Sequence, residues 1–596
     1  MIKVSDFIAK FIAEHEDTAK TVFMVSGGGN MHLIDSLGKN ENLEYVCNHH
    51  EQACAIAAEG YARVSNKIGI AYVTTGPGGT NAITGVYGAW VDSIPMMIIS
   101  GQVKFQTTVA SQPELNLRQL GDQEVNIVDI VRPITKYAIM ITDKNSIKFH
   151  LQKAVYEAKH GRPGPVWLDV PLDIQGAMVD EADLIEFKIP EEPKFNTKIP
   201  QVLDALKAAK RPVIIAGNGI TLAGANEDFL KLIEILKIPV IGTFARYDIV
   251  RNDHELFFGR YGTIGNRAAN FVVQNSDLII AVGARLNIRA VSYNWEFFGR
   301  EAKKILVDID ENELNKKTIA ADIKIKSDAK VFISDLRSVL KDELDFGAWL
   351  EICKNYRKNY PTIEPFRQNV KERVDSYNFF DVLSNHKRDL VYVFGNGTAC
   401  VSSYQSLRLY ENQKVVINSG CASMGYDLPA AIGACFANGK GNTICVTGEG
   451  SLQMNIQELQ TIIHNKLPIK IFVLNNAGYI SIRNTQNNFF KGHKVGSDKD
   501  SGVSFPDTIK LAKAYGFETC RIENQLNLKK DLDKILSKSG AVVCEVMLSP
   551  TEKMEPKLSS EIKPDGKMIS KPLEDMFPFL PREEFYKNMI VKPVEE

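Results

Sequence analysis

The sequence predicts an α/β protein of three doubly wound parallel-sheet domains followed by an extended C-terminal arm. Three observations carry that prediction. Short apolar runs rich in Val, Ile and Phe alternate along the chain with segments of helical periodicity. Several runs break directly into glycines: TVFMVS into Gly27-Gly28-Gly29, AYVTT into Gly76-Pro77-Gly78-Gly79, PVIIA into Gly217-Asn218-Gly219 and ICVT into Gly448-Glu449-Gly450. A glycine turn after a strand is how a parallel sheet offers a ligand its strand C-termini. Finally, 596 residues exceed what one hydrophobic core usually organises.

Composition narrows the function classes. With 71 basic against 72 acidic residues the net charge is −1, so no bulk basic field points to nucleic acid or an anionic membrane surface. A small-molecule ligand is expected instead. The nine cysteines lack CxxC spacing, and the first residues, MIKVSDFIAKFIAEHED, are amphipathic and mixed in charge. The expectation is a cytoplasmic protein with reduced thiols. No apolar run reaches the length of about 18 residues that a membrane-spanning helix needs.

Residues 1–185 read as the first domain. Its glycine trio, Gly28 and Gly29 above all, lets backbone approach a ligand. Glu51 stands where a strand gives way to a helix, and its bland reading is a helix-start acid. Thr75 to Asn81, including Pro77, follow another strand and open a further helix, again a place for a ligand. The proline-containing stretch IPEEPKFNTKIP reads as a linker. Residues 190–345 form a second sheet domain with strands in RPVIIAGNGI, IPVIGTF, DLIIAVGARL and KILVDID. Residues 345–375 read as a connector, and 370–550 as the third domain, opening on VYVFGNGT. The arm, 551–596, alternates Pro, charged residues and isolated apolar anchors.

The third domain holds the densest chemistry. After the NTICVT strand come Gly448-Glu449-Gly450-Ser451 and a helical pattern with Leu452, Ile456, Leu459 and Ile463 on one face. Backbone N–H groups then converge on one point with a carboxylate beside it. A second strand, IKIFVL, ends in Asn475-Asn476-Ala477-Gly478, whose amide and carbonyl oxygens are hard ligands suited to Mg²⁺ or Ca²⁺. The glycine turn alone is compatible with an ordinary βαβ unit. Its spacing to the Asn pair is what resembles the thiamine-diphosphate signature, GDG followed about two dozen residues later by NN. Glu449 departs from it, standing where that signature has Asp.

Further blocks extend the resemblance. HHEQACAIAAEGYAR, VTTGPGGTNAITGVYGAWVDSIPMMIISGQV, QEVNIVDIVRPITKY and CASMGYDLPAAIGA resemble the acetolactate synthase branch of thiamine-diphosphate enzymes, the acetohydroxyacid synthase large-subunit type, over residues 1 to about 550. The resemblance implies pyrimidine-binding, middle and diphosphate-binding domains. It implies thiamine diphosphate with Mg²⁺, and FAD without redox use in the middle domain, with an empty site as the alternative. Glu51 would exchange a proton with the cofactor's pyrimidine, Gly28 and Gly29 would border the reacting centre, and Gln123 would face the intermediate. Met424 would wedge the cofactor into its bent shape. Pro77, Asn81, Gly397, Thr398, Ser423, Gly448, Gly450, Ser451 and Tyr479 would contact the cofactor, while Glu449, Asn476 and the Gly478 carbonyl would hold the metal. Gly217, Gly219, Thr243, Gly262, Gly283 and Arg289 fall where that family approaches FAD.

The implied activity is decarboxylation of a 2-keto acid, pyruvate first, and transfer of its acyl-anion equivalent to a carbonyl acceptor. A homodimer or homotetramer with active sites between chains is expected. Departures cluster around the acceptor: the segment from Val103 to Gln123 is longer, Asp122 replaces a Phe and Leu172 a Lys. Thr398-Ala399 stand for a Gln-His pair, Thr263-Ile264 for Met-His, and Leu286 to Arg289 for FDDR. The arm resembles those of enzymes of branched-sugar or surface-polysaccharide synthesis. Acetyl transfer to a nucleotide-linked ketosugar is therefore the alternative expectation, and a non-catalytic cofactor-binding homologue a second.

Overall fold

Runs such as LIIAV and IKIFVL combine β-branched and aromatic residues almost without polar interruption, the composition of strands buried on both faces. A computed structural model describes residues 1–340, 344–562 and 568–594 and gathers these runs into three six-stranded sheets. The first contains β1 (Thr18–Met24), β2 (Glu44–Cys47), β3 (Ile68–Val73), β4 (Met96–Gln102), β5 (Tyr137–Met140) and β6 (Pro165–Pro171), in spatial order β2-β1-β3-β4-β6-β5. The second holds β7 (Pro212–Ala216), β8 (Val240–Gly242), β9 (Phe257–Arg260), β10 (Leu278–Val282), β11 (Lys303–Asp308) and β12 (Ile323–Lys326), in order β9-β8-β7-β10-β11-β12. The third holds β13 (Leu390–Phe394), β14 (Gln413–Ile417), β15 (Thr443–Gly448), β16 (Ile469–Asn475), β17 (Glu518–Ile522) and β18 (Val542–Met547), in order β14-β13-β15-β16-β18-β17. The described pairings within these sheets are parallel, and the outer sheets share one topology.

Strand order locates the crevices. In each sheet the winding reverses beside the first strand, between β1 and β3, β7 and β10, and β13 and β15. A doubly wound sheet binds ligands at that switch point, beyond the strand C-termini. The glycine turns lie there: Gly27 to Gly29 after β1 and Gly76 after β3, Gly217 and Gly219 after β7 and Gly283 after β10, Gly395 to Gly397 after β13 and Gly448 at the end of β15.

Small residues let the outer domains pack closely. The Glu51–Ser65 helix lies against the Asp427–Ala437 helix so tightly that a Cβ at Gly433 would stand 1.8 Å from the Ala57 carbonyl. One apolar core runs through both, from Phe23 and Ala57 to Ala430 and Cys445. The middle domain is fastened to the third by buried Arg260, which donates to the carbonyls of Tyr404 and Leu407 at 2.7 Å each.

Three expectations change. Residues 347–359, read as connector, form a helix that buries Trp349, Cys353 and Tyr356 against the middle domain, with Trp349 Nε1 donating to Pro212 O at 3.0 Å. The arm is not wholly extended: it contains an antiparallel pair, Ser560–Ile562 with Met568–Ser570, and a helix, Arg582–Asn588. Arg267, Asn270 and Gln274 fix it to the middle domain through Met576 O, Leu573 O and the Glu574 carboxylate. Its residues 563–567 and 595–596 lie outside the described residues. The helix expected after Ser451 is two, Glu449–Met454 and Glu458–His464. Asn455 breaks it, because its amide is committed to tertiary partners.

Candidate active site

The first crevice is built around Glu51. A His50 N-cap, whose Nδ1 accepts the Gln52 N–H, starts the helix there and leaves Glu51 at its positive end. Glu51 Oε2 accepts from Asn81 Nδ2 at 3.0 Å, and Oε1 lies 3.6 Å from where a Gly78 Cβ would be. Asn81 and Gly78 thus meet Glu51 in one crevice. Gly28 is open, with no atom within 4 Å of its would-be Cβ. Gly29 is different: its N–H donates to Thr74 Oγ1 at 3.1 Å and its carbonyl accepts from Gln175 Nε2 at 2.7 Å, so it holds the turn together. Gln123 adopts φ 62° and stays exposed, while its carbonyl rests on Gly76, leaving no room for a Cβ there.

The second crevice joins β15 and β16, adjacent strands with Gly448 paired to Leu474. Glu449 is buried and its Oε1 accepts the Gly478 N–H at 2.9 Å. Burial pushes its carboxyl up to about 7, which the N–H groups of Gly478 and Asn476 partly oppose. Asn475 and Asn476 are treated differently. Asn475 Nδ2 donates to Glu545 Oε1 at 2.7 Å, whereas Asn476 Oδ1 is buried without a hydrogen-bond partner. Arg483 takes the carbonyls of Asn476 and Ala477 at 2.7 and 2.9 Å, and among the described residues no hydrogen bond takes that of Gly478, held at φ 136°. Ser451 Oγ donates to Asp427 Oδ2 at 2.5 Å and accepts from the Gly425 N–H at 2.8 Å, tying the turn to Ser423 and Met424. Gly450 packs against the Tyr479 ring, Gly397 is open at φ 59°, and Thr398 Oγ1 is buried and unpartnered.

The two crevices are linked by residues that the sequence analysis did not single out. Glu458 accepts from Asn48 Nδ2 at 2.7 Å and from the His49 N–H at 2.9 Å, gripping the turn before Glu51. Asn455 Nδ2 donates to Gln52 Oε1 at 2.9 Å and to Gly425 O at 2.7 Å. Asp427 and Arg483 were also missed. Only their buried positions beside the turns reveal them, because an Asp in a helix and an Arg in a polar segment carry no pattern of their own.

The middle crevice opens into a cavity whose walls include Gly219, Thr243, Gly283, Arg289, Asp308 and, from the third domain, Tyr404. Gly217 and Gly262 do not line it; they pack against Gly283 and Arg289. Thr243 Oγ1 and Tyr261 OH are buried without partners, and the Arg289 guanidinium lies 4.9 Å from the Phe244 ring centroid. Burial pushes the Asp308 carboxyl up to about 6.

These donor sets suit the groups that the sequence implies. An unpartnered amide oxygen, a buried carboxylate and a free carbonyl are hard oxygen donors for a divalent cation that a diphosphate would share. Among the described residues no group of three or more His, Cys, Asp or Glu side chains is placed to hold a metal, so a cation here would need the ligand's own oxygens. The middle cavity, with glycine walls and unpaired hydroxyls, suits a dinucleotide. Among the described residues no helix is long and apolar enough to cross a membrane.

Comparison with known proteins agrees over most of the chain. Residues 2–125 match the thiamine pyrophosphate enzyme N-terminal TPP binding domain, 199–336 the central domain and 395–546 the C-terminal TPP binding domain. An acetolactate synthase large subunit of Lactococcus lactis is 32% identical over 550 residues, covering 91% of this chain and 92% of that protein. One from Cyanidium caldarium is 31% identical over 580 residues, covering 94% and 95%. A probable acetolactate synthase large subunit of Methanocaldococcus jannaschii is 32% identical over 553 residues, covering 89% and 90%. With three matching domains and switch-point crevices where the cofactor chemistry requires them, the chain belongs to the thiamine-diphosphate-dependent, acetolactate synthase-like family of carbon–carbon bond-forming enzymes.

Proposed function

We propose that the protein decarboxylates pyruvate and joins the resulting two-carbon acyl unit to a carbonyl acceptor, a second 2-keto acid, with thiamine diphosphate and Mg²⁺ as resident groups. FAD without a redox role is our reading of the middle cavity. Thiamine diphosphate, when bound, supplies a carbon acid whose conjugate base attacks the keto carbon and accepts the electrons left by CO₂. The chain's own residues position and gate. Glu51, oriented by Asn81, holds and moves the proton at the cofactor's pyrimidine nitrogen. Glu449, Asn476 Oδ1 and the Gly478 carbonyl hold the cation, and the Gly450 and Ser451 N–H groups, with Gly448, Gly397, Thr398 and Tyr479 around them, receive the diphosphate. Met424, with Ser423 before it, supports the cofactor's bend, Pro77 borders its pyrimidine end beside open Gly28, and Gln123 faces the substrate.

The Glu51 carboxylate bonds Asn81 and no residue of the 448–479 segment. We therefore read the working unit as a homodimer, or a pair of dimers, in which the Glu51 crevice of one protomer meets the metal turn of its partner. The exposed Tyr87 and Trp90, on the helix that carries Asn81, support an apolar contact there. A cytoplasmic setting belongs to the same reading, supported by nine unpaired cysteines. The unpartnered Asn476 Oδ1 beside buried Glu449 is the observation that carries the proposal. Calorimetry tests it: thiamine diphosphate should bind with Mg²⁺ present and at least about tenfold more weakly with chelator, since a tenfold change is about 1.4 kcal/mol. Metal-independent binding would refute the assignment of these ligands.

A further inference from the structure

Gln123 and Glu124 are neighbours with opposite environments. Gln123 is exposed, whereas Glu124 is 5% exposed and turned back into the segment that precedes it. Residues 103–123 contain only two short 3₁₀ turns, Phe105–Thr107 and Val109–Ser111, and an exposed tip with Leu115, Leu117 and Leu120. A loop this long needs internal partners to keep one shape.

Glu124 supplies them. Its Oε1 accepts the Val109 N–H at 2.5 Å, and its Oε2 accepts those of Leu120 at 2.9 Å and Gly121 at 3.3 Å. Its own carbonyl accepts from Gln119 Nε2 at 3.0 Å. The carboxylate therefore ties the outgoing limb of the loop to the returning one. The loop's ends are held separately by Gln102, whose Oε1 accepts the Val103 N–H and whose Nε2 donates to Val125 O and to buried Asp169 Oδ2. Between these two fastenings Gln123 is left at φ 62° with its carbonyl against Gly76, one residue from Pro77 and two from Gly78 beside Glu51.

We propose that Glu124 is a positioning residue: by closing the 103–123 loop it holds Gln123 over the reacting carbon, and so sets how the acyl unit divides between a carbonyl acceptor and a proton. The inference rests on the role of Gln123 proposed above. The two outcomes balance differently. Attack on the acceptor carbonyl makes a C–C bond and leaves an alkoxide that takes a proton, whereas protonation makes a C–H bond and releases an aldehyde. A loop that opens admits water and favours the second.

Glu124→Gln keeps the size of the side chain but turns one acceptor into a donor facing backbone N–H groups. In the cofactor-loaded enzyme given pyruvate, the ratio of acetaldehyde to carboligated product should rise about tenfold, with CO₂ release changed less than about threefold. In cofactor-free protein, tryptic cleavage after Arg118, inside the loop, should accelerate by about tenfold. Gln123→Ala should raise the product ratio and leave that cleavage unchanged. Val109→Pro, which removes one donor to Oε1, should act in the same direction as Glu124→Gln but less strongly, and decides the matter if the Gln variant does not fold. Faster cleavage with an unchanged product ratio would reduce Glu124 to a structural role and overturn the inference. An unchanged ratio in Gln123→Ala would instead remove the role of Gln123, and the inference with it.

Discussion

Asn475 ends β16 and Asn476 follows it directly, yet one is spoken for and the other is not. Asn475 Nδ2 is 2.7 Å from Glu545 Oε1, while Asn476 Oδ1 is buried with no hydrogen-bond partner, in the same residue whose carbonyl Arg483 holds at 2.7 Å. A buried unpaired oxygen is costly unless a ligand completes it. Asn476→Ala should therefore weaken Mg²⁺-dependent thiamine diphosphate binding at least about tenfold while the free protein keeps its melting temperature. Asn475→Ala should do the reverse, costing about 1–3 kcal/mol of stability through the Glu545 oxygen it leaves without that donor. Calorimetry and thermal unfolding of the two variants check the contrast, and equal effects on binding would contradict it.

Glu51→Gln keeps the Asn81 contact in shape but removes the group that carries the proton. Turnover should fall by about 10²–10⁴-fold, the range of positioned acid–base catalysis, with cofactor affinity changed far less. Steady-state kinetics with parallel binding titrations separates the two quantities. A loss confined to affinity would make Glu51 a binding residue only.

Asp169 lies within β6, fully buried, accepting from Ser100 Oγ at 2.6 Å and Gln102 Nε2 at 3.1 Å. Burial pushes its carboxyl up to about 7. The folded protein thus holds this proton more tightly than the unfolded chain does, so the group's contribution to stability is full below the ordinary Asp range and is lost as pH rises through about 7. Asp169→Asn cannot ionise. The melting temperature of the variant relative to the parent should become more favourable between pH 5 and pH 8, a range set by the shifted and ordinary values. A difference that does not change with pH would contradict the reading.

In the middle domain a side chain at Gly219 would lie 2.7 Å from the Gly283 Cα, at the floor of the cavity. Gly219→Val should abolish any flavin that co-purifies, read by absorbance of the released chromophore, and leave thiamine diphosphate binding within about threefold. Parent protein that yields no flavin under any loading condition would remove FAD from the account.

The parts of this site legible from sequence are those where backbone geometry alone dictates residue type. Gly448 to Ser451 lie at a strand end bordering a switch point and Asn475 to Gly478 at the end of the next strand in the sheet, and their spacing is the length of one crossover, so a linear pattern captures them. The Asn455 break could not be read that way. Its partners, Gln52 and Gly425, lie in another domain and another loop, and the apolar period of Leu452, Ile456, Leu459 and Ile463 continues across it. Glu458 is hidden for the same reason, since its contact with Asn48 spans 410 positions. The 347–359 helix was obscured by charge: Trp349, Cys353 and Tyr356 make only a narrow apolar stripe among Glu, Lys and Arg.

The most direct measurement is isotope-resolved mass spectrometry of the products and CO₂ formed when purified protein, thiamine diphosphate and Mg²⁺ meet labelled pyruvate, with and without a panel of nucleotide-linked 4-ketosugars. The account predicts CO₂ release with acetolactate as the product, whether or not the panel is present. Turnover that appears only with a ketosugar and places a two-carbon unit on it, or no CO₂ release at all, would contradict it.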